Sequence, residues 1–214
     1  MTNLVKYPRT PHVPTSPGVS SDDVIANLEM LSELVNNHPV LITEKMDGEC
    51  TTMYTDHIHA RSLTSGYHPS RTRVKQLHSV IAHQIPEGWR VCGENMQAVH
   101  SIKYSDLADW FLVYSIWNDQ NKCLDWNTTL EWIDLLELQS VPVLYSGNMS
   151  VDQIHKLHKE LDLSVAEGYV IRNAESFKFD DFDKNVFKWV RQHHVQTDAH
   201  WMSKPMIENR LRLL

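Results

Sequence analysis

Cationic side chains are in short supply: 20 Lys and Arg stand against 27 Asp and Glu, a formal net charge of −7 over 214 residues. A protein that coats nucleic acid without regard to sequence is normally basic, so that class is disfavoured, and any contact with nucleic acid has to rest on a local basic site. Long apolar runs are missing as well. None approaches the roughly 18 residues of a membrane helix, and Met1 to Lys6 contain no apolar leader segment, so neither a membrane span nor a secretory signal is expected. Only three cysteines occur, Cys50, Cys92 and Cys123, odd in number and far apart. That excludes a disulfide framework and suits a reducing, cytoplasmic compartment. There is no C-x-x-C, no H-E-x-x-H and no GxxxxGK[ST] loop, which argues against a structural zinc site and a P-loop kinase. The 13 histidines include same-face pairs, His57 with His59 and His155 with His158, but these lack cysteine partners nearby. His193, His194 and His200 read as part of a polar surface or, if nucleic acid is bound, of its path.

What is present is ordinary globular material, 42 % hydrophobic and 22 % charged, able to bury a core. Pro8, Pro11, Pro14 and Pro17 mark an irregular N-terminal arm. Ser20 to Asp23 read as a helix start, followed by an amphipathic stripe of Val24, Leu28, Leu31 and Val35. Strands are expected at 40–45, 51–55, 57–61, 89–94, 111–117, 141–145, 168–172 and 186–190. Helices are expected at 71–84, 128–138 and 150–161, the last opening on the capping-box pair Ser150 and Gln153. A short helix is expected from Pro205 to Leu214. Strands cluster before and after helices without regular βαβ alternation, which gives an α+β fold. The division expected is an arm and helix over 1–38 and a single domain over 39–214.

Lys45-Met46-Asp47-Gly48 closes the first strand. A lysine beside a carboxylate and a glycine turn can serve as a covalent nucleophile if its pKa is low enough to supply free amine; the plain alternative is an exposed turn. Further along stand Arg61 at a strand end, Gly93-Glu94-Asn95, the aromatic strand Phe111 to Trp117 with Tyr114, Glu167-Gly168-Tyr169-Val170-Ile171-Arg172, and Phe187-Lys188-Trp189-Val190-Arg191. Tyr114 alone could be core packing, and Lys188 alone could be the wet face of a half-buried strand.

In this order the segments resemble the nucleotidyltransferase motifs of the covalent ligase and capping-enzyme superfamily, over about residues 41–191. Within it they are most similar to ATP-dependent RNA ligases of the bacteriophage ligase 2-like group. Tyr7 to His12, His100-Ser101-Ile102 and His194 to Asp198 also resemble small RNA-ligase-like proteins. The resemblance implies a nucleotidyltransferase domain of antiparallel sheets flanked by helices. It implies an enzyme that seals 5′-phosphate and 3′-hydroxyl RNA ends through lysyl-AMP, as in RNA repair, using ATP and Mg²⁺ or Mn²⁺. Lys45, Asp47 and Lys188 are the catalytic assignments: Lys45 the nucleophile, Asp47 shaping its turn, Lys188 neutralising the α-phosphate. Glu44 beside the adenine, Arg61 near ribose and phosphate, Glu94 on the ribose and Tyr114 stacked on the base complete the nucleotide site with Glu167, Arg172 and Arg191. Glu167 is the metal-binding carboxylate.

The family pattern is departed from at three places: Ser115 follows the aromatic where Asp is common, Arg172 stands where Lys is common, and Lys188 has no second lysine two positions on, only Arg191 after three. A DNA ligase, a GTP-dependent guanylyltransferase and a noncatalytic nucleotide- or RNA-end-binding module are the alternatives. Only 23 residues follow Arg191, so a catalytic domain without a C-terminal domain is expected. The partners implied are RNA ends or nicked RNA and no membrane, with room for a protein that delivers the RNA. Arg9, the Arg71, Arg73 and Lys75 group, the Lys184, Lys188 and Arg191 group, Lys204 and Arg210 are the basic residues available to hold it, weakly and with a shallow salt dependence.

Overall fold

A computed structural model describes residues 3–192 and 206–213. Two sheets form the frame. The smaller contains β1 (Val40–Glu44), β8 (Val143–Gly147), β9 (Gly168–Asn173) and β11 (Val186–Val190), in the order β11-β9-β1-β8 with every pair antiparallel. The larger contains β2 (Glu49–Met53), β3 (Ile58–Ala60), β4 (Arg90–Asn95), β5 (Phe111–Trp117), β6 (Lys122–Cys123), β7 (Gln139–Ser140) and β10 (Phe177–Lys178). Its order is β10-β6-β5-β4-β2-β3, and β7 pairs with β5 in parallel. The helices are α1 (Leu28–Asn37), α2 (Thr72–Ile81), α3 (Trp126–Leu135), α4 (Val151–Lys156) and α5 (Phe182–Asn185). The α+β expectation holds. No helix among the described residues is long and apolar enough to cross a membrane.

Each sheet buries one face under helices. Leu31, Leu34 and Val35 of α1 and Ile154 of α4 pack on Val40, Ile42, Tyr169, Ile171 and Phe187. Val74 and Ile81 of α2 and Ile133 of α3 pack on Met53, Val91, Phe111 and Val113. Burial of each such side chain contributes about 1.5–3 kcal/mol, so these two layers hold most of the fold. Between the sheets lie two smaller apolar groups. Cys92, Trp117, Cys123, Phe177, Phe182 and Val186 form one, and Met46, Met96, Leu107, Leu112 and Val141 the other. The space left beside them is the cavity described below.

Two expected elements are corrected. Helix α1 starts at Leu28, capped by the Asn27 side chain on the Met30 amide, and not at Ser20–Asp23. Ser20 and Asp23 instead close a turn through the Ser20 amide and hydroxyl, and Val24 and Leu28 are about half exposed. His12 pairs with both Ile25 and Lys188, so Pro11 to Val13 run beside β11 and cover its edge. Over 206–213 the C-terminal segment is extended where a helix was expected. Glu208 bridges Ala98, Leu211 bridges Leu107, and the Asn209 side chain donates to the Met96 and Ala98 carbonyls. Long-range pairing decides both cases. By contrast, Ser150 and Gln153 form the reciprocal cap that their spacing indicated. His193, His194, His200 and Lys204 lie outside the described residues.

Candidate active site

A cavity of about 390 Å³ lies between the two sheets. The smaller sheet contributes Lys45, Val170, Arg172 and Lys188; the larger contributes Cys50, Glu94, Tyr114 and Ser115, with Arg61 beyond the end of β3. The arm supplies the remaining wall through Tyr7, Arg9, Asp22 and Asp23.

Lys45 is the residue after β1, and its amide donates to the Gly168 carbonyl at 2.9 Å, which continues the β1–β9 ladder past the strand end. Its Nζ therefore meets Glu167, immediately before β9, and donates to Oε2 at 2.6 Å. The Glu167 side chain is 7 % exposed and that of Lys45 25 %. Burial alone would lower the lysine, but the Glu167, Glu94 and Asp47 carboxylates outweigh it and raise its pKa above the ordinary 10.5. The carboxylates thus favour the ammonium form of Lys45, the opposite of the lowered pKa that a free-amine nucleophile calls for. Burial also pushes Glu94 up to about 8, helped by Glu167 and Asp47 and opposed by Lys45 and the Gly48 amide. Burial raises Glu44 as well.

The turn after Lys45 explains its two other residues. Asp47 Oδ2 accepts from the Ser101 and Ile102 amides at 2.7 and 2.8 Å, so it anchors the 100–104 loop, whose Tyr104 hydroxyl accepts from the Asp47 amide. Gly48 presses on β4: a Cβ there would lie 2.6 Å from the Asn95 carbonyl oxygen and 2.9 Å from Glu94 Cγ. Glycine is required by that approach. Gly168 is required in the same way, its would-be Cβ lying 2.0 Å from the Trp189 carbonyl oxygen.

Lys188 projects from β11 and its Nζ donates to Asp23 Oδ1 at 3.1 Å. Burial lowers this lysine, Asp23 opposing and Lys45 adding to the effect. Burial would raise Asp23, but the Ser20 bonds and Lys188 leave it well below the usual carboxylate range. Arg9 is tied to Asp22 on the same wall. Tyr114 offers a ring to the cavity, packed edge-on by Tyr7 at 5.2 Å between centroids, and its hydroxyl donates to Cys50 Sγ. Arg61 Nε donates to the Tyr7 carbonyl.

The cavity wall thus brings together Glu44, Lys45, Arg61, Glu94, Tyr114, Arg172 and Lys188, with Glu167 directly behind Lys45. Two of the predicted site residues are used differently. The Arg172 guanidinium donates to the Asn173, Tyr114 and Leu124 carbonyls, bracketing the two sheets. Arg191 lies off the cavity wall and gives its amide to the Glu167 carbonyl at 3.0 Å. Among the basic residues expected on the surface, Arg71 is instead buried on Glu49. Sequence reasoning assigns no site role to Tyr7, Asp23 or Cys50: the Tyr7 to His12 stretch carries only a resemblance, and Asp23 and Cys50 stand in no local pattern that points to the cavity.

Glu167 and Asp47 flank a single ammonium, with the raised Glu94 beside them, and a cation would relieve their charge and favour ionised Glu94. Among the described residues there is no group of three His, Cys, Asp or Glu able to hold a metal by itself. The neighbouring Glu167 and Glu94 carboxylates are hard oxygen donors of the kind that suit a divalent ion such as Mg²⁺, which takes one or two carboxylates and completes its shell with phosphate and water.

The RNA ligase family model matches residues 38–190. Comparison with curated proteins gave no match. Among solved structures, an archaeal ATP-dependent RNA ligase superposes with a TM-score of 0.57 at 14 % identity, over 88 % of this chain and 48 % of that one. A putative ATP-dependent DNA ligase from Aquifex aeolicus gives 0.59 at 16 %, over 88 % and 50 %. An RNA ligase from Naegleria gruberi, solved with PPi, gives 0.54 at 19 %, over 88 % and 61 %. This chain spans about half the length of the first two. At these identities the likeness is one of fold, the nucleotidyltransferase fold of ligases. The family match extends over the whole run from β1 to β11 that builds the cavity, and on it the chain belongs to the RNA ligase family.

Proposed function

We propose that the protein is an ATP-dependent RNA ligase that joins 5′-phosphate and 3′-hydroxyl ends through a lysyl-AMP formed on Lys45. The observation that carries this reading is the Lys45–Glu167 contact at 2.6 Å on the wall of an interlayer cavity that also presents Glu94, Tyr114 and Lys188. A lysine so placed is held at one position by backbone and carboxylate together, and positioning is the main demand of nucleotidyl transfer.

The Tyr114 ring offers a flat face for the adenine, and Glu94 accepts from the ribose. Lys45 Nζ, after losing a proton, adds to the α-phosphorus; the bond to the bridging oxygen breaks, and pyrophosphate leaves with the electron pair. The Glu167 oxygen already bonded to Nζ is the acceptor nearest that proton. Lys188 cancels charge on the α-phosphate once it is released from Asp23. Arg61 lies against ribose and phosphate. Glu167, with Glu94 beside it, would hold the divalent ion, which supplies positive charge against the carboxylates and the triphosphate. AMP then passes to the RNA 5′-phosphate, and the 3′-hydroxyl displaces it. In this reading the protein repairs RNA in the cytoplasm, and a protein partner can deliver the broken strand.

Incubation with labelled ATP and Mg²⁺, followed by intact-protein mass measurement, should show one added AMP that maps to Lys45. Labelling from GTP in place of ATP would make it a guanylyltransferase. Sealing of nicked DNA in preference to RNA would make it a DNA ligase, and failure to label with any nucleotide would leave a binding module.

A further inference from the structure

The interlayer cavity opens into a second, of about 630 Å³, and Cys50, Arg61 and Glu94 line both. The far wall of the second is the loop from Ser62 to His68, with His100 opposite. That loop is built and braced. Arg71 holds Glu49 with two nitrogens at 2.7 and 2.5 Å and also donates to the Gly66 carbonyl, while Ser65 Oγ donates to the Ser62 carbonyl at 2.8 Å. His68 caps the following helical turn through the Ser70 amide. On this fixed loop Tyr67 is 78 % exposed, the most exposed aromatic among the described residues. Lys75 of α2 places its Nζ 5.6 Å from the centre of that ring.

A braced loop that keeps a tyrosine exposed, beside a cation and on a cavity that shares Cys50, Arg61 and Glu94 with the interlayer one, has the composition of a platform for an unpaired base and its phosphate. We propose that the second cavity seats the RNA end to be joined, with a terminal base stacked on Tyr67 and the adjoining phosphates on Lys75 and Arg61. This rests on the ligase reading, which brings an RNA end to the shared wall. Arg61 is the hinge of the arrangement, facing the nucleotide on one side and the strand on the other. Stacking is indifferent to base identity, so the site accepts any sequence.

The test is binding of a 5′-phosphorylated single-stranded RNA of about ten nucleotides, by fluorescence anisotropy, to Lys45→Arg protein with and without Tyr67→Ala. The second substitution should raise Kd about tenfold. Tyr67→Phe and Tyr67→Trp should restore it, since both keep a ring, and Lys75→Ala should flatten the salt dependence. In the otherwise native chain, Tyr67→Ala should leave AMP labelling unchanged while sealing at subsaturating RNA falls. RNA binding that is insensitive to Tyr67→Ala overturns the proposal, as does loss of AMP labelling in parallel with RNA binding. Failure of the native protein to label with ATP would remove the ligase reading instead, and the anisotropy result on Lys45→Arg protein would still decide whether Tyr67 holds RNA.

Discussion

Two lysines face one cavity, each held by a carboxylate, and their surroundings push them in opposite directions. Lys45 is raised because Glu167, Glu94 and Asp47 together exceed the cost of its burial. Lys188 is lowered because burial, with Lys45 adding to it, exceeds the opposing pull of Asp23 and of the more distant Glu167. The partners also differ in origin. Glu167 and Glu94 stand at the start of β9 and on β4, so the sheets fix the Lys45 environment. Asp23 belongs to the arm, 165 residues from Lys188, and an incoming phosphate can replace it on the lysine. Lys45 is thus held by charge fixed in the sheets, and Lys188 by a carboxylate of the arm; in the proposed reaction the first is the nucleophile and the second the phosphate-binding lysine.

Breaking the first pair should have the largest effect. Lys45→Arg keeps the charge but has no amine able to lose a proton, so AMP labelling by mass spectrometry should vanish. Glu167→Gln keeps volume and removes charge from the same contact. Labelling rate should drop by about 100-fold or more, with the far-ultraviolet spectrum unchanged. The raised Lys45 pKa sets the pH profile. The free-amine fraction grows with pH, so the labelling rate at saturating ATP should rise from pH 6 to pH 9. A rate flat across that range would mean that the bound nucleotide resets the lysine.

Asp23→Asn is the gentlest change and separates the two lysines most cleanly. It should lower the KM for ATP by about threefold, as expected for loss of a partly exposed ion pair that competes with phosphate. In a Lys188→Ala background it should do nothing. The same substitution has a pH signature in stability. Asp23 sits below its ordinary 3.8, so its stabilisation is present above that value and lost as pH falls through the depressed one. The Tm difference between native and Asp23→Asn protein should therefore be larger at pH 7 than in strong acid.

Most of the frame was legible because its signals are local. Short apolar runs mark β1, β9 and β11, and Ser150 with Gln153 announces α4. The Lys45, Glu94 and Glu167 set was legible as ordered motifs, although the charge state of Lys45 was not, since that follows from carboxylates up to 122 residues away. The same reason hid Asp23, whose Ser20-Ser21-Asp22-Asp23 context looks like a helix cap until the Val24 carbonyl is seen taken by the His12 amide. Arg172 illustrates the converse. Its motif position pointed to the nucleotide site, and it does line the cavity, yet three carbonyl acceptors already hold its guanidinium.

The cavity takes Lys45 and Lys188 from one sheet and Glu94, Cys50 and Tyr114 from the other, and this division has a thermodynamic consequence. Each sheet has its own helical cover and apolar layer, so each is a candidate unit of local opening. A ligand lodged between them touches both and binds only when both are closed. Nucleotide should therefore act as a mortar: amide hydrogens of β4 and β9 that exchange at different rates in the free protein should slow together and converge on one rate as ATP saturates the cavity.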